Sequence, residues 1–95
     1  MELAPQYPKG DLRRMLVVLG AIDELDVATL VRIAERTGLD KKTITNLIDQ
    51  ARVQAGVTVD KTEAVYSIRA WGPVINREGA LIYLHGALNP FRIYD

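Results

Sequence analysis

Only Gly38 and Leu39 separate two stretches that each carry apolar residues at helical spacing. This short link constrains the chain more than any other feature, because two helices joined so tightly have to pack on one another. The earlier stretch places Val27, Leu30, Val31 and Ala34 at three- and four-residue intervals, with Asp26 as its N-cap. Gly38 is positioned to stop it in a left-handed conformation, which a residue without a Cβ adopts at little cost. Asp40 caps the later stretch, whose apolar set is Ile44, Leu47, Ile48, Ala51 and Ala55, and Gly56 closes it. The small Ala34 lets the two helices approach, and Leu39, Ile44 and Leu47 lock the later helix across the earlier one.

The flanking sequence supplies the rest of a small fold. Residues 1–10 hold two prolines and Gly10 and predict a non-helical arm. Asp11 then caps a helix in which Leu12, Met15, Leu16, Leu19 and Ile22 form one stripe and Val17 and Val18 widen it. Asp23 and Glu24 end this helix, since carboxylates are unfavourable at the negative end of its dipole. Leu25-Asp26-Val27 predicts a bridge or minimal strand. After Gly56 the period changes to two: Val57 and Val59, then Tyr66 and Ile68, alternate with polar residues, and Asp60-Lys61-Thr62-Glu63 reads as the turn of a hairpin. Gly72-Pro73 breaks the chain. Asn76 caps a last helix expected to run through Leu88, with Asn89-Pro90 ending it.

Over Leu30 to Asp49, LVRIAERTGLDKKTITNLID, the small residue, the turn glycine and the core positions stand where the helix-turn-helix signature has them. The segment is similar to that family. With the helix before and the hairpin after, the order resembles the winged-helix branch, as in bacterial MarR- and IclR-type regulators, over about Asp11 to Trp71. The resemblance implies a mainly α fold with a small β-hairpin. It would form one domain, with an arm (1–10), a winged-helix core (11–71) and a C-terminal helix and tail (72–95). It also implies a prokaryotic or phage transcription regulator that binds double-stranded DNA with the helix 40–55 in the major groove.

The residues themselves suit that role. Opposite the apolar stripe of the 40–55 helix lie Lys42, Thr45, Asn46 and Asp49, with Lys41 and Gln50 at the margins. Asn46 and Gln50 can pair with adenine edges, Thr45 can meet a thymine methyl or a phosphate, and Lys42 can reach guanine or phosphate. Asp49 can accept from cytosine or repel the backbone, and the helix N-terminus near Thr43 offers amides to a phosphate. At the hairpin Lys61 is the candidate contact. Many DNA-binding winged helices carry several Arg or Lys there, whereas this one sets Lys61 between Asp60 and Glu63. Arg13, Arg14, Arg32 and Arg36 are further cations for phosphate or for solubility. The alternative function is a winged-helix module that binds another protein.

Composition narrows the remaining classes. Twelve basic residues balance twelve acidic ones, which excludes a polybasic protein gripping nucleic acid by bulk attraction. With no Cys, disulfides, thiol nucleophiles and cysteine metal sites are impossible. Ser67 lacks a G-x-S-x-G setting, His85 has no acidic residue three or four positions away, and the glycines form no phosphate loop, so no enzyme, cofactor or metal is expected. Asp23, Glu24 and Glu35 read as solvated charges. No secretory signal or membrane span is visible, and the expected location is cytoplasmic, or on the nucleoid if the chain binds DNA. From Ala80 to Leu88 the chain is apolar nearly all round. A homodimer interface is therefore expected at Trp71, Leu81, Tyr83, Leu84, His85 and Leu88 with the Pro90–Tyr94 tail; otherwise this helix packs across its own first helix.

Overall fold

Asp11 sets the first boundary of the fold. In the computed structural model, which describes residues 3–86, its carboxylate accepts from the Arg13 amide at 2.9 Å and helix α1 runs Leu12–Glu24. The chain continues through α2 (Leu30–Thr37), α3 (Lys41–Ala55), β1 (Thr58–Thr62), β2 (Val65–Ala70) and α4 (Arg77–His85). Among the described residues the protein is therefore mainly helical, with four helices and a two-stranded antiparallel sheet. That order is compatible with a winged-helix arrangement. No helix among the described residues is long and apolar enough to cross a membrane.

α1 is the axis of the packing. Met15 and every residue from Val17 to Ile22 are buried, because α2, α3, α4 and β2 all lie against it. This explains a stripe too wide for a helix covered on one side. The closest approach is to α4: a Cβ built on Gly20 would stand 3.0 Å from the Ala80 carbonyl oxygen and 3.2 Å from Leu84 Cβ. Ala80 and Leu84 are both fully buried there. One side of the apolar last helix is thus covered by α1 of its own chain, while Leu81, Ile82 and Tyr83 remain half-buried.

α2 begins later than its sequence predicts. Its cap is Thr29, whose side chain accepts from the Arg32 amide at 3.2 Å, and not Asp26. The reason is long-range: Thr29 forms a β-bridge with Val65, and the Tyr66 amide donates to the Ala28 carbonyl at 2.9 Å. The chain is held extended through Thr29, and the expected minimal strand reduces to this bridge. Val27 falls outside the helix, 46% exposed, and Val31 turns outward, while Ile33 and Thr37 fill the buried face. At the end of α2, Gly38 adopts φ 76 and donates its amide to the Ala34 carbonyl. Beside it the buried Thr37 hydroxyl donates to the Ile33 carbonyl at 2.7 Å and accepts from the Leu39 amide at 3.3 Å. The link is thereby held by bonds within the chain, with Gly38 itself exposed.

The hairpin also departs from expectation. Asp60, Lys61 and Thr62 belong to β1, paired with Ser67, Tyr66 and Val65. The turn is only Glu63-Ala64, both at positive φ (50 and 70), as a two-residue turn matching strand twist requires. A bulge follows Thr58 in the register. Asn76 caps α4 as expected, accepting from the Gly79 amide at 3.1 Å, but the helix closes at a left-handed Gly86, ahead of Leu88. Leu88 and the Pro90–Tyr94 tail lie outside the described residues.

The arm is tied down rather than loose. The Ala4 amide donates to the Arg36 carbonyl at 2.8 Å, and Gln6 Nε2 donates to the carbonyls of Ala4 and Thr37, both at 2.8 Å. Tyr7 meets the Tyr83 ring edge-on and its hydroxyl donates to the Tyr83 carbonyl at 3.4 Å.

Candidate nucleic-acid interface

The orientation of α3 is set by its buried side. Ile44, Ile48 and Ala51 are buried, with Leu47 half-buried beside them, so the opposite face is committed to the outside. Lys41, Lys42, Asn46, Asp49 and Gln50 are all exposed on it, and Thr43 and Thr45 are half-buried. The structure therefore brings these seven residues onto one helix surface. Lys61 stands apart on β1, its ammonium 5.5 Å from the centre of the Tyr66 ring.

The two flanks of α3 differ. Lys41, Thr45, Asp49 and Arg52 recur at helical spacing on one flank. Arg52 pairs with Asp49 at 3.1 Å and donates to the Val59 carbonyl of β1 at 2.8 Å, so this flank faces the hairpin. Asp49 is consequently neutralised by its neighbour instead of presenting a bare charge. The Thr45 hydroxyl donates to the carbonyls of Lys41 and Lys42 at 3.2 and 3.0 Å, so it is engaged within the helix. On the other flank Thr43, Leu47, Gln50 and Gln54 line a groove of about 540 Å³ against residues 9–15.

Asp40 caps α3 by position, with no directed side-chain bond to a helix amide. The Thr43 hydroxyl, and to a lesser degree the Thr43 amide, nevertheless holds its carboxyl below the usual range. At the start of α1, Asp11 is lowered further, to about 2, chiefly by the Arg13 guanidinium that donates two hydrogen bonds to it. Arg13 also lies over the Tyr7 ring, 4.4 Å from its centre.

Compared with protein families, curated proteins and solved structures, the chain matches none. Its own charges therefore have to carry the reading. Arg13, Arg36, Arg52, Arg69 and Arg77 each pair with a carboxylate. Among the described residues Lys9, Arg14, Arg32, Lys41, Lys42 and Lys61 make no such pair. Lys41 and Lys42 open α3, and Lys9 and Arg14 line the groove beside it. A zero net charge thus conceals an uneven distribution, with Lys9, Lys41 and Lys42 beside or on α3 pairing with no described carboxylate and Arg14 sharing only the field of Asp40.

Several expectations change at this level. His85 is exposed and pairs with Glu24, and Asp23 pairs with Arg77 at 2.8 Å, so these side chains clamp α4 to the end of α1. Glu24 also lies 3.9 Å from Arg36. Neither carboxylate is merely solvated. Leu84 is buried inside its own chain and is unavailable to a partner, Tyr83 is engaged by Tyr7, and Leu81 and Trp71 pack against the core. Lys9, Arg52 and Gln54 were absent from the expected interface. The 43, 47, 50, 54 spacing could have revealed Gln54, whereas nothing local marks Lys9. Among the described residues no three His, Asp or Glu side chains converge on a metal position.

Proposed function

We propose that this protein is a winged helix-turn-helix regulator that binds double-stranded DNA sequence-specifically, with α3 in the major groove. The observation that carries this reading is the outer face of α3. There Lys41 and Lys42, unpaired with any described carboxylate, share a rigidly held surface with the exposed amides of Asn46 and Gln50. Lysines supply sequence-independent attraction to phosphate, and carboxamides can bond two atoms of an adenine edge. In this reading two copies occupy half-sites about one helical turn, ~34 Å, apart. Their contact does not run through Leu84.

A second reading has its own observation. Val53, on the same outer surface of α3, is 84% exposed, and Leu12 and Val74 are 64% and 69% exposed; apolar groups in such positions suit a protein partner. Titration of labelled duplex pools at about 50 and 200 mM salt separates the two, since phosphate contacts weaken steeply with salt. Salt-sensitive binding, reduced uniformly by Lys42→Ala and altered in base preference by Asn46→Ala, is the expected outcome. Absence of binding at both salts, with the protein folded, replaces DNA with a protein partner.

A further inference from the structure

Resting on the DNA reading above, we propose that the groove between residues 9–15 and α3 seats one sugar–phosphate wall of the duplex, with Lys9 as its phosphate contact. An α-helix with its side chains is about 10–12 Å across and the major groove about 12 Å wide. A helix that fills the groove meets a backbone wall on each flank. The flank that can hold a phosphate is the one with positive charge to spare.

On the hairpin side Lys41, on α3 itself, pairs with no described carboxylate, whereas Arg52 and the cations of the hairpin wall are engaged. Arg52 is held by Asp49 and the Val59 carbonyl, Arg69 by Asp60 at 3.1 Å, and Lys61 lies over Tyr66 with Glu63 exposed at the turn. On the groove side the balance is different. Asp11 is taken by Arg13 at 2.7 Å, and Arg14 donates to the Tyr7 carbonyl at 3.0 Å with Asp40 nearby. Lys9 is exposed and pairs with no described carboxylate, so its ammonium is the cation available to a phosphate.

Lys9 is also well anchored. It occupies the second position of a turn closed by the Asp11 amide on the Pro8 carbonyl at 3.0 Å, with Gly10 at φ 86 in the third, a type II arrangement. The segment behind it is bonded to the Arg36 and Thr37 carbonyls at the end of α2. Its place relative to α3 is therefore set by the same turn that sets α3. Asn46, Gln50 and Gln54 add amide donors along the groove, and Leu12, Met15 and Leu47 give it an apolar floor against which deoxyribose carbons can lie.

Salt titrations of wild type, Lys9→Ala and Lys61→Ala on the same duplex test the assignment. Each lost phosphate contact lowers the slope of log K against log salt by ~0.9. For Lys9→Ala the affinity lost between 50 and 200 mM should accordingly shrink by about 3.5-fold per bound copy, about 12-fold for two copies on one duplex, with unchanged base preference, while Lys61→Ala keeps the wild-type slope. Phosphate-ethylation interference should show one blocked position per half-site in wild type that no longer matters in Lys9→Ala. An unchanged slope in Lys9→Ala, or a loss confined to Lys61→Ala, overturns the groove assignment while leaving the DNA reading intact. A folded wild type that binds no duplex at 50 mM removes both.

Discussion

At the scale of single residues, Asp11 shows how a cap, a charge pair and an aromatic contact combine. Its carboxylate accepts from the Arg13 amide and from the Arg13 side chain, and that side chain lies over Tyr7. The ionised form is the one that makes these bonds, so folding lowers its pKa from the ordinary 3.8 to about 2. The sign follows from linkage: the stabilisation is complete above 3.8 and is lost as pH falls through about 2. A carbon-detected NMR titration of the Asp11 carboxyl should therefore show a midpoint near 2, and Arg13→Ala should move it back towards the ordinary value. A wild-type midpoint near 3.8 would refute the pairing. This residue was legible in the sequence as a cap, but the arginine two positions on was not legible as its partner, because an i, i+2 pair does not share a helix face.

At the scale of elements, local signals located what local physics decides. Asp11, Asp40 and Asn76 stand at the starts of α1, α3 and α4, and Gly38 and Gly56 at the ends of α2 and α3. The errors fall where a distant strand intervenes. The Thr29–Val65 bridge delays α2, and nothing between Leu25 and Thr29 announces a partner thirty-six residues away. The hairpin turn was misplaced for a related reason: Glu63 and Ala64 lack the Asn-Gly signature of a two-residue turn, so the polar run before them looked like the bend. An alanine at φ 70 carries a penalty on the order of 1 kcal/mol that glycine avoids. Glycine also restores about 0.4–1 kcal/mol of unfolded-chain entropy, so the net gain is small and Ala64→Gly should raise Tm by roughly 1–3 °C. A Tm lowered by the ~4 °C or more that an unneeded glycine costs would show that the hairpin does not hold Ala64 in that conformation. Of the candidate interface, the outer face of α3 was legible because it repeats with the helix. The opposing wall at Lys9 was not, because only the folded arm brings it there.

At the scale of the whole molecule, the question is what α4 contributes. Its sequence is apolar enough to suggest a surface hidden by a second copy, yet α1 carries an equally wide stripe and a glycine at the crossing point. Gly20 admits the Ala80 carbonyl and Leu84, and the pairs Asp23–Arg77 and Glu24–His85 tie the first and last residues of α4 to the end of α1. These ion pairs are exposed and contribute little stability, so the packing at Leu84 dominates. Truncating a fully buried leucine costs about 2–5 kcal/mol, a large fraction of the ~5–14 kcal/mol expected for a chain of this length. Leu84→Ala should lower the unfolding free energy measured in urea by that amount at any protein concentration, because the contact lies within one chain. Gly20→Ala should destabilise too, since its Cβ would press on a backbone oxygen that cannot rotate away. If the loss at Leu84 instead grew on dilution, α4 would be buried by a second copy and the α1–α4 packing would not be the folded monomer's own.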